Sequence, residues 1–171
     1  AGMYFHASNS AFIHYDDAHS AMRTAVHEAV HAINKAVLGY TPRWFNEGFA
    51  EYFELTQNNM QTAIVEPNSS WTKNNNITKS VFSIDSLVGL DDSWKKSDTS
   101  KLYASSWAAI YFLMDTQAGR SLLKNIMLAE QEFLCNKLSE KQLKTMMYKQ
   151  FPNLNREYSQ RLKKPLKAHI F

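Results

Sequence analysis

The chain has one cysteine, Cys135, so no disulfide can form within it, and the run Phe133-Leu134-Cys135 reads as ordinary core packing. Glycine is also scarce, at five among 171 residues. None of the five builds a glycine-rich phosphate loop or the Gly-x-Ser-x-Gly elbow of a serine nucleophile, which sets aside two large classes of enzyme. No run approaches the ~18 consecutive apolar residues of a membrane span. The opening Ala1-Gly2-Met3 lacks the basic-then-apolar pattern of a signal peptide, which leaves room for a targeting segment upstream in a longer protein. Charge of one sign is weak as well: 19 basic against 16 acidic residues give a net +3. The basic excess gathers in Arg156, Arg161, Lys163, Lys164 and Lys167 and reads as a solvated helix face, so no nucleic-acid partner is expected.

What is present is 44% hydrophobic and 13% aromatic content, enough to fill one core, in a length typical of one domain. Met3 to His6 and Ala11 to Tyr15 are β-prone runs separated by Ser8-Asn9-Ser10, which predicts a hairpin or two successive strands. Asp16 and Asp17 offer N-caps for a helix over about Ala18 to Val37, where Met22, Val26, Ala29, Ile33 and Val37 recur at helical spacing; Gly39 and Pro42 supply its stop. Pro42 also suits the first turn of a second helix, through Trp44, Phe45, Phe49, Tyr52 and Phe53 to about Thr56. Gln57 to Ser80 is rich in Asn, Ser and Thr and reads mostly as loop with at most a short helix, long enough to be functional. An ordered piece at Val81 to Leu90 and helices at about 102–116, 120–134 and 140–150 follow, with a last one starting near Pro152.

His27-Glu28-Ala29-Val30-His31 fits the pattern H-E-x-x-H inside the first of these helices. A chain of this composition carries such a match by chance on the order of once in a hundred sequences, so the helical context is what gives it weight. Residues four apart on a helix are neighbours, so both imidazoles can reach one ion, and Glu28 projects beside them. A catalytic zinc commonly takes three protein ligands and leaves a position for water, on which Glu28 would act as general base. The second helix, folded back at Gly39 to Thr41, offers a third ligand in Glu47 or, one turn later, Glu51. Whichever is not the ligand can accept a hydrogen bond from a ligand imidazole.

Trp44-Phe45-Asn46-Glu47-Gly48-Phe49-Ala50-Glu51-Tyr52 resembles the Asn-Glu-Gly-x-Ala segment that follows H-E-x-x-H in gluzincin metallopeptidases, the class of thermolysin and aminopeptidase N. With Tyr103-Ala104-Ser105-Ser106-Trp107-Ala108 downstream, the chain looks most similar to peptidase-MA-like bacterial families. The specific match covers residues 27 to 52, with a weaker one over 103 to 114. The resemblance implies His27, His31 and Glu47 as ligands of one zinc ion per chain, Glu28 as the base, Glu51 as the acceptor behind a ligand histidine, and Tyr103 as donor to the oxyanion. It implies an α+β, zincin-like domain spanning 1–171, mainly helical with a small N-terminal β-layer. Strands and metal-bearing helices fill 1–57; a loop and a helical half fill 58–171. It also implies a peptide or protein substrate and an extracytoplasmic setting. Gly2-Met3-Tyr4 lacks the glutamate with which aminopeptidases of the class capture a free amine, which favours an endopeptidase. The rival readings are a catalytically silent zincin scaffold that binds a polypeptide or cell-wall component, and a metal-free helical interaction module. His6, His14, His19 and His169 read as surface or hydrogen-bonded histidines, with His6 or His14 candidates to line a cleft. Asn68-Ser69-Ser70 and Asn76-Ile77-Thr78 match glycosylation acceptors.

Overall fold

The computed structural model describes residues 2–5, 7–8, 10–58, 61–72, 77–90, 94, 98–133 and 137–171. His6, Asn9, Asn76 and Cys135, which the sequence singles out, lie outside them. Within them the chain is a mixed α+β structure, mainly helical.

Two four-residue strands, β1 (Gly2–Phe5) and β2 (Ser10–Ile13), pair antiparallel with Gly2 opposite Ile13 and Phe5 opposite Ser10. Helix α1 (Ala18–Leu38) starts where the Asp17 carboxylate accepts from the backbone N–H groups of His19 and Ser20. It ends at Gly39, whose φ of 74° is a left-handed value that a side chain would disfavour. The chain doubles back through Pro42 into α2 (Arg43–Phe53). Two short strands follow, β3 (Thr56–Asn58) and β4 (Ala63–Val65), then the single turns α3 (Ser69–Thr72) and α4 (Ile77–Ser80) and the short helix α5 (Ile84–Gly89). The longer helices α6 (Thr99–Met114), α7 (Gln117–Phe133), α8 (Glu140–Gln150) and α9 (Leu154–Leu162) complete the body. Last, β5 (His169–Ile170) pairs on β4, giving a sheet of order β3-β4-β5.

The segment expected to be mostly loop, Gln57 to Ser80, thus holds two strands and two helical turns. Three-residue strands are too short to show alternation, and β4 is completed by β5 from more than a hundred residues away. A second difference concerns α1. Its apolar stripe is largely exposed, with Met22 at 66%, Ile33 at 60% and Val37 at 46%, while Glu28, His31, Asn34 and Leu38 form its buried side. Part of the stripe opens on an apolar groove of about 840 Å³ walled by Val26, Ile33, Phe49, Phe53, Met127 and Leu128. The helix turns its polar motif inward because α2 offers that motif charged partners.

α6 is the centre of the core: Leu102, Trp107, Ala108, Ile110, Tyr111 and Leu113 are all buried. α2 packs against it at Gly48, where a Cβ would lie 2.6 Å from the Ser106 carbonyl oxygen and 2.7 Å from Ile110 Cγ1. The glycine is required by this close approach of two helix backbones.

At the far end of α6 a polar nest ties down the C-terminal strand. Tyr52 Oη donates to His169 Nδ1 at 2.6 Å, and His169 Nε2 donates to Asp115 Oδ1 at 3.2 Å. Arg161 bonds both Asp115 oxygens and Tyr111 Oη, which also accepts from the Lys167 backbone N–H. Only a neutral imidazole can accept at Nδ1 while donating at Nε2. Burial accordingly pulls the His169 pKa below its ordinary 6.5, although Asp115 works in the other direction.

Two outcomes follow from this packing. Gly48→Ala must push α2 off α6, and we expect a loss of about 1–3 kcal/mol in denaturant unfolding. A neutral His169 in the fold contributes stability above pH 6.5 that is lost as pH falls through the lowered folded value. Melting temperatures taken in chelator should therefore separate wild type from His169→Gln widely at pH 8 and less at pH 5; a pH-independent gap would contradict this assignment.

Candidate functional site

His27, Glu28 and His31 lie on the buried side of α1, with the two imidazole rings 4.8 Å apart and nearly perpendicular. α2 returns alongside and presents Glu47 Oε2 at 3.7 Å from His27 Nε2 and 3.5 Å from His31 Nε2. Those separations are long for hydrogen bonds, and Glu47 Oε2 and His31 Nδ1 are buried with no hydrogen-bond partner. Ligand atoms about 2.0–2.2 Å from a tetrahedral zinc ion stand roughly 3.3–3.5 Å apart, close to what the three side chains show. A second trio, His27, Glu51 and Glu54, is similarly compact. Its carboxylates, however, already accept from Arg23, Asn68 and Trp71, so the unpartnered atoms belong to the first trio.

The electrostatics agree. Burial disfavours the His27 imidazolium, but the Glu47 and Glu54 carboxylates beside it win, and its pKa is pushed up to about 10. Burial likewise opposes ionisation of Glu47, and the two imidazoles outweigh it, bringing its pKa down to about 2. The carboxylates thus favour positive charge between the two helices. A bound cation would take the place of that proton.

The Glu28 carboxylate is buried at the floor of the same cleft. The cleft encloses about 330 Å³ between Gly2, Met3 and Tyr4 of β1, the motif residues of α1, Arg43, Asn46 and Glu47 of α2, and Tyr103 of α6. A Cβ on Gly2 would fall 2.3 Å from Thr24 Cγ2 and 2.9 Å from Glu28 Oε1, so a glycine lets β1 settle directly over the Glu28 carboxylate. Tyr103 stands in the wall, edge-on to Trp94 and beside Arg43; burial and nearby Glu47 push its phenol up to about 12. Arg43 stacks its guanidinium over Trp94 at 4.6 Å and sets Nε 3.7 Å from Glu47 Oε1. Asn46 Oδ1 accepts from Asn34 Nδ2 at 2.9 Å, bridging the two helices beside His31.

Glu51 is placed differently from the expectation. Its Oε2 accepts from Trp71 Nε1 at 2.8 Å and Asn68 Nδ2 at 3.2 Å, whereas the carboxylate at His27 Nδ1 is that of Glu54, with Oε2 at 3.2 Å. Burial, then the neighbouring Glu54, pushes the Glu51 pKa up to about 7. Glu54 was not singled out in the sequence, although Glu47, Glu51 and Glu54 fall at helical spacing on one face. Asn68 is 1% exposed and bonded to both glutamates, so it is closed to glycosylation in this fold. His14 is exposed beside Asp16 and His19 is exposed in the first turn of α1, so neither joins the cleft.

A family model matches residues 21–131. The chain belongs to the family described as "Protein of unknown function (DUF1570)". The segment matched to DUF1570 holds His27, Glu28, His31, Glu47, Glu51, Glu54 and Tyr103, and excludes β1 and β2. No curated protein and no solved structure matches the chain.

If the first trio is the metal centre, the purified DUF1570 chain equilibrated with zinc should carry about one ion per chain by elemental analysis, and His27→Ala and Glu47→Ala should each lose it. Zinc retained by Glu47→Ala would move the third ligand elsewhere.

Proposed function

We propose that this chain is a zinc-dependent peptidase of the gluzincin type on a zincin-like fold, with His27, His31 and Glu47 as the ligands and Glu28 as the general base. The observation that carries the reading is the buried Glu47 Oε2, unbonded and suspended between two imidazole nitrogens at 3.5 and 3.7 Å. Bound there, zinc would supply Lewis acidity toward a water and a carbonyl oxygen.

The chain's own residues account for the rest. Glu28, beside the ligands and under β1, takes a proton from water in the cleft and returns it to the leaving amine. Tyr103 remains protonated across the working range and so donates a hydrogen bond toward the oxygen on which negative charge develops. Arg43 steadies the Glu47 carboxylate from behind and adds positive charge to the wall. β1 pairs only with β2 among the described residues, and it lines the cleft. An extended peptide laid along β1 would add a strand to that two-stranded sheet, which suits a polypeptide substrate entering as a strand. Such a substrate passes through the cleft without presenting a terminus, in keeping with an endopeptidase. The described helices include none long and apolar enough to cross a membrane.

The alternative, a silent scaffold that only binds polypeptide, is weighed against by a buried carboxylate positioned beside the ligands, since a purely structural site has no need of a base. Glu28→Gln separates the two. It should bind zinc like wild type while hydrolysis of an unfolded protein such as denatured casein falls by about 10²–10⁴-fold. Equal and measurable turnover in both proteins would remove Glu28 from the mechanism.

A further inference from the structure

We propose that Glu54, and not Glu51, is the positioning residue for His27, and that Asn68 and Trp71 hold Glu51 out of that role. The inference rests on the zinc-site reading above and deepens it. His27 directs Nε2 toward Glu47 and Nδ1 toward Glu54 Oε2, 3.2 Å away. An ionised carboxylate can only accept, so Nδ1 keeps its proton for Glu54, and a cation in the cleft would displace the proton of Nε2 alone, leaving the tautomer a metal ligand requires.

Glu54 is itself fixed. Its Oε1 accepts from Arg23 Nη2 at 2.5 Å and from Asn68 Nδ2 at 3.3 Å. Arg23 lies one helical turn before His27 on α1, so the single carboxylate of Glu54 bridges two positions of that helix from the C-cap of α2. The buried Asn68 amide spans Glu54 Oε1 and Glu51 Oε2, and the Trp71 indole takes the same Glu51 oxygen. Glu51 is therefore turned toward Asn68 and Trp71, at the start of α3 and within it, and two acids one turn apart do separate work. His31 has no matching support, since its Nδ1 is buried without a partner. Orientation of the imidazole pair thus falls on His27 and, behind it, on Glu54.

The test is zinc affinity of the full chain, measured by competition with a fluorescent chelator, with the absorption spectrum of the cobalt-loaded protein and the melting temperature in chelator beside it. Glu54→Ala should bind zinc about 10–100-fold more weakly and alter the cobalt spectrum. Glu54→Gln, which keeps an acceptor oxygen, should recover part of that loss, and Glu51→Gln should stay within about threefold of wild type. If Glu54→Ala fails to fold, Glu54→Gln binding more weakly than Glu51→Gln carries the same conclusion. Wild-type affinity in Glu54→Ala, or a loss in Glu51→Gln as large as in the Glu54 variants, would overturn the assignment while leaving the zinc site standing. A wild type that takes up no zinc would remove both.

Discussion

The structure depends on one constraint: α1 and α2 press an array of carboxylates and imidazoles against each other where water is largely excluded. Glu28, His31, Glu47 and Glu51 are all buried, and His27 and Glu54 nearly so. Unpaired charges in such a place cost several kcal/mol each, so the array must be closed by mutual pairing and by added positive charge. His27 and Arg23 contribute part of that charge from α1, and Arg43 contributes from the first turn of α2. The rest of the fold serves to hold the two helices in this register. Gly39 makes the reversal between them, and Gly48 locks α2 onto α6.

The rotation of α2 set by that lock decides which side chains meet α1. Arg43, Glu47, Glu51 and Glu54 form one stripe, and Phe45, Phe49 and Tyr52 turn toward the core. The three glutamates in the stripe are not equivalent. Glu47 is held strongly acidic by two imidazoles; Glu51 is pushed up by burial and by Glu54; Glu54 is brought down because His27 and Arg23 outweigh its burial. Residue type and spacing alone would rank them alike. Contacts separate them: the motif histidines face Glu47, whereas Asn68, Trp71 and Arg23, outside the motif, distinguish Glu51 from Glu54.

That explains what the sequence could and could not disclose. H-E-x-x-H and the following Asn-Glu-Gly are legible because the chemistry is written in the helical period: spacing alone puts His27 beside His31, and the break at Gly39 to Pro42 brings Glu47 back to them. The partners behind the site are not legible in this way. Asn68 and Trp71 come from a stretch with no periodicity, and their importance arises only when that stretch folds over the end of α2. The β4–β5 pairing has the same character, since two residues near the C-terminus give no strand signal until β4 is there to receive them. The apolar period of α1 located the helix correctly and yet did not mark its buried side. Pairing of buried charge, rather than apolar area, decides how that helix is turned.

Helix orientation set by charge has a consequence for the cleft. Because α1 gives its polar side to α2, Glu28 and the imidazoles share one buried surface, and β1 can lie across it only where no side chain intervenes, at Gly2. The strand backbone, the Glu28 carboxylate and the converging side chains of His27, His31 and Glu47 thereby line one cleft of about 330 Å³. The polar clip of Asn68 and Trp71 acts through Glu51 and Glu54, so the segment after β4 reaches His27 only by way of Glu54, whereas β1 packs on α1 directly at Gly2.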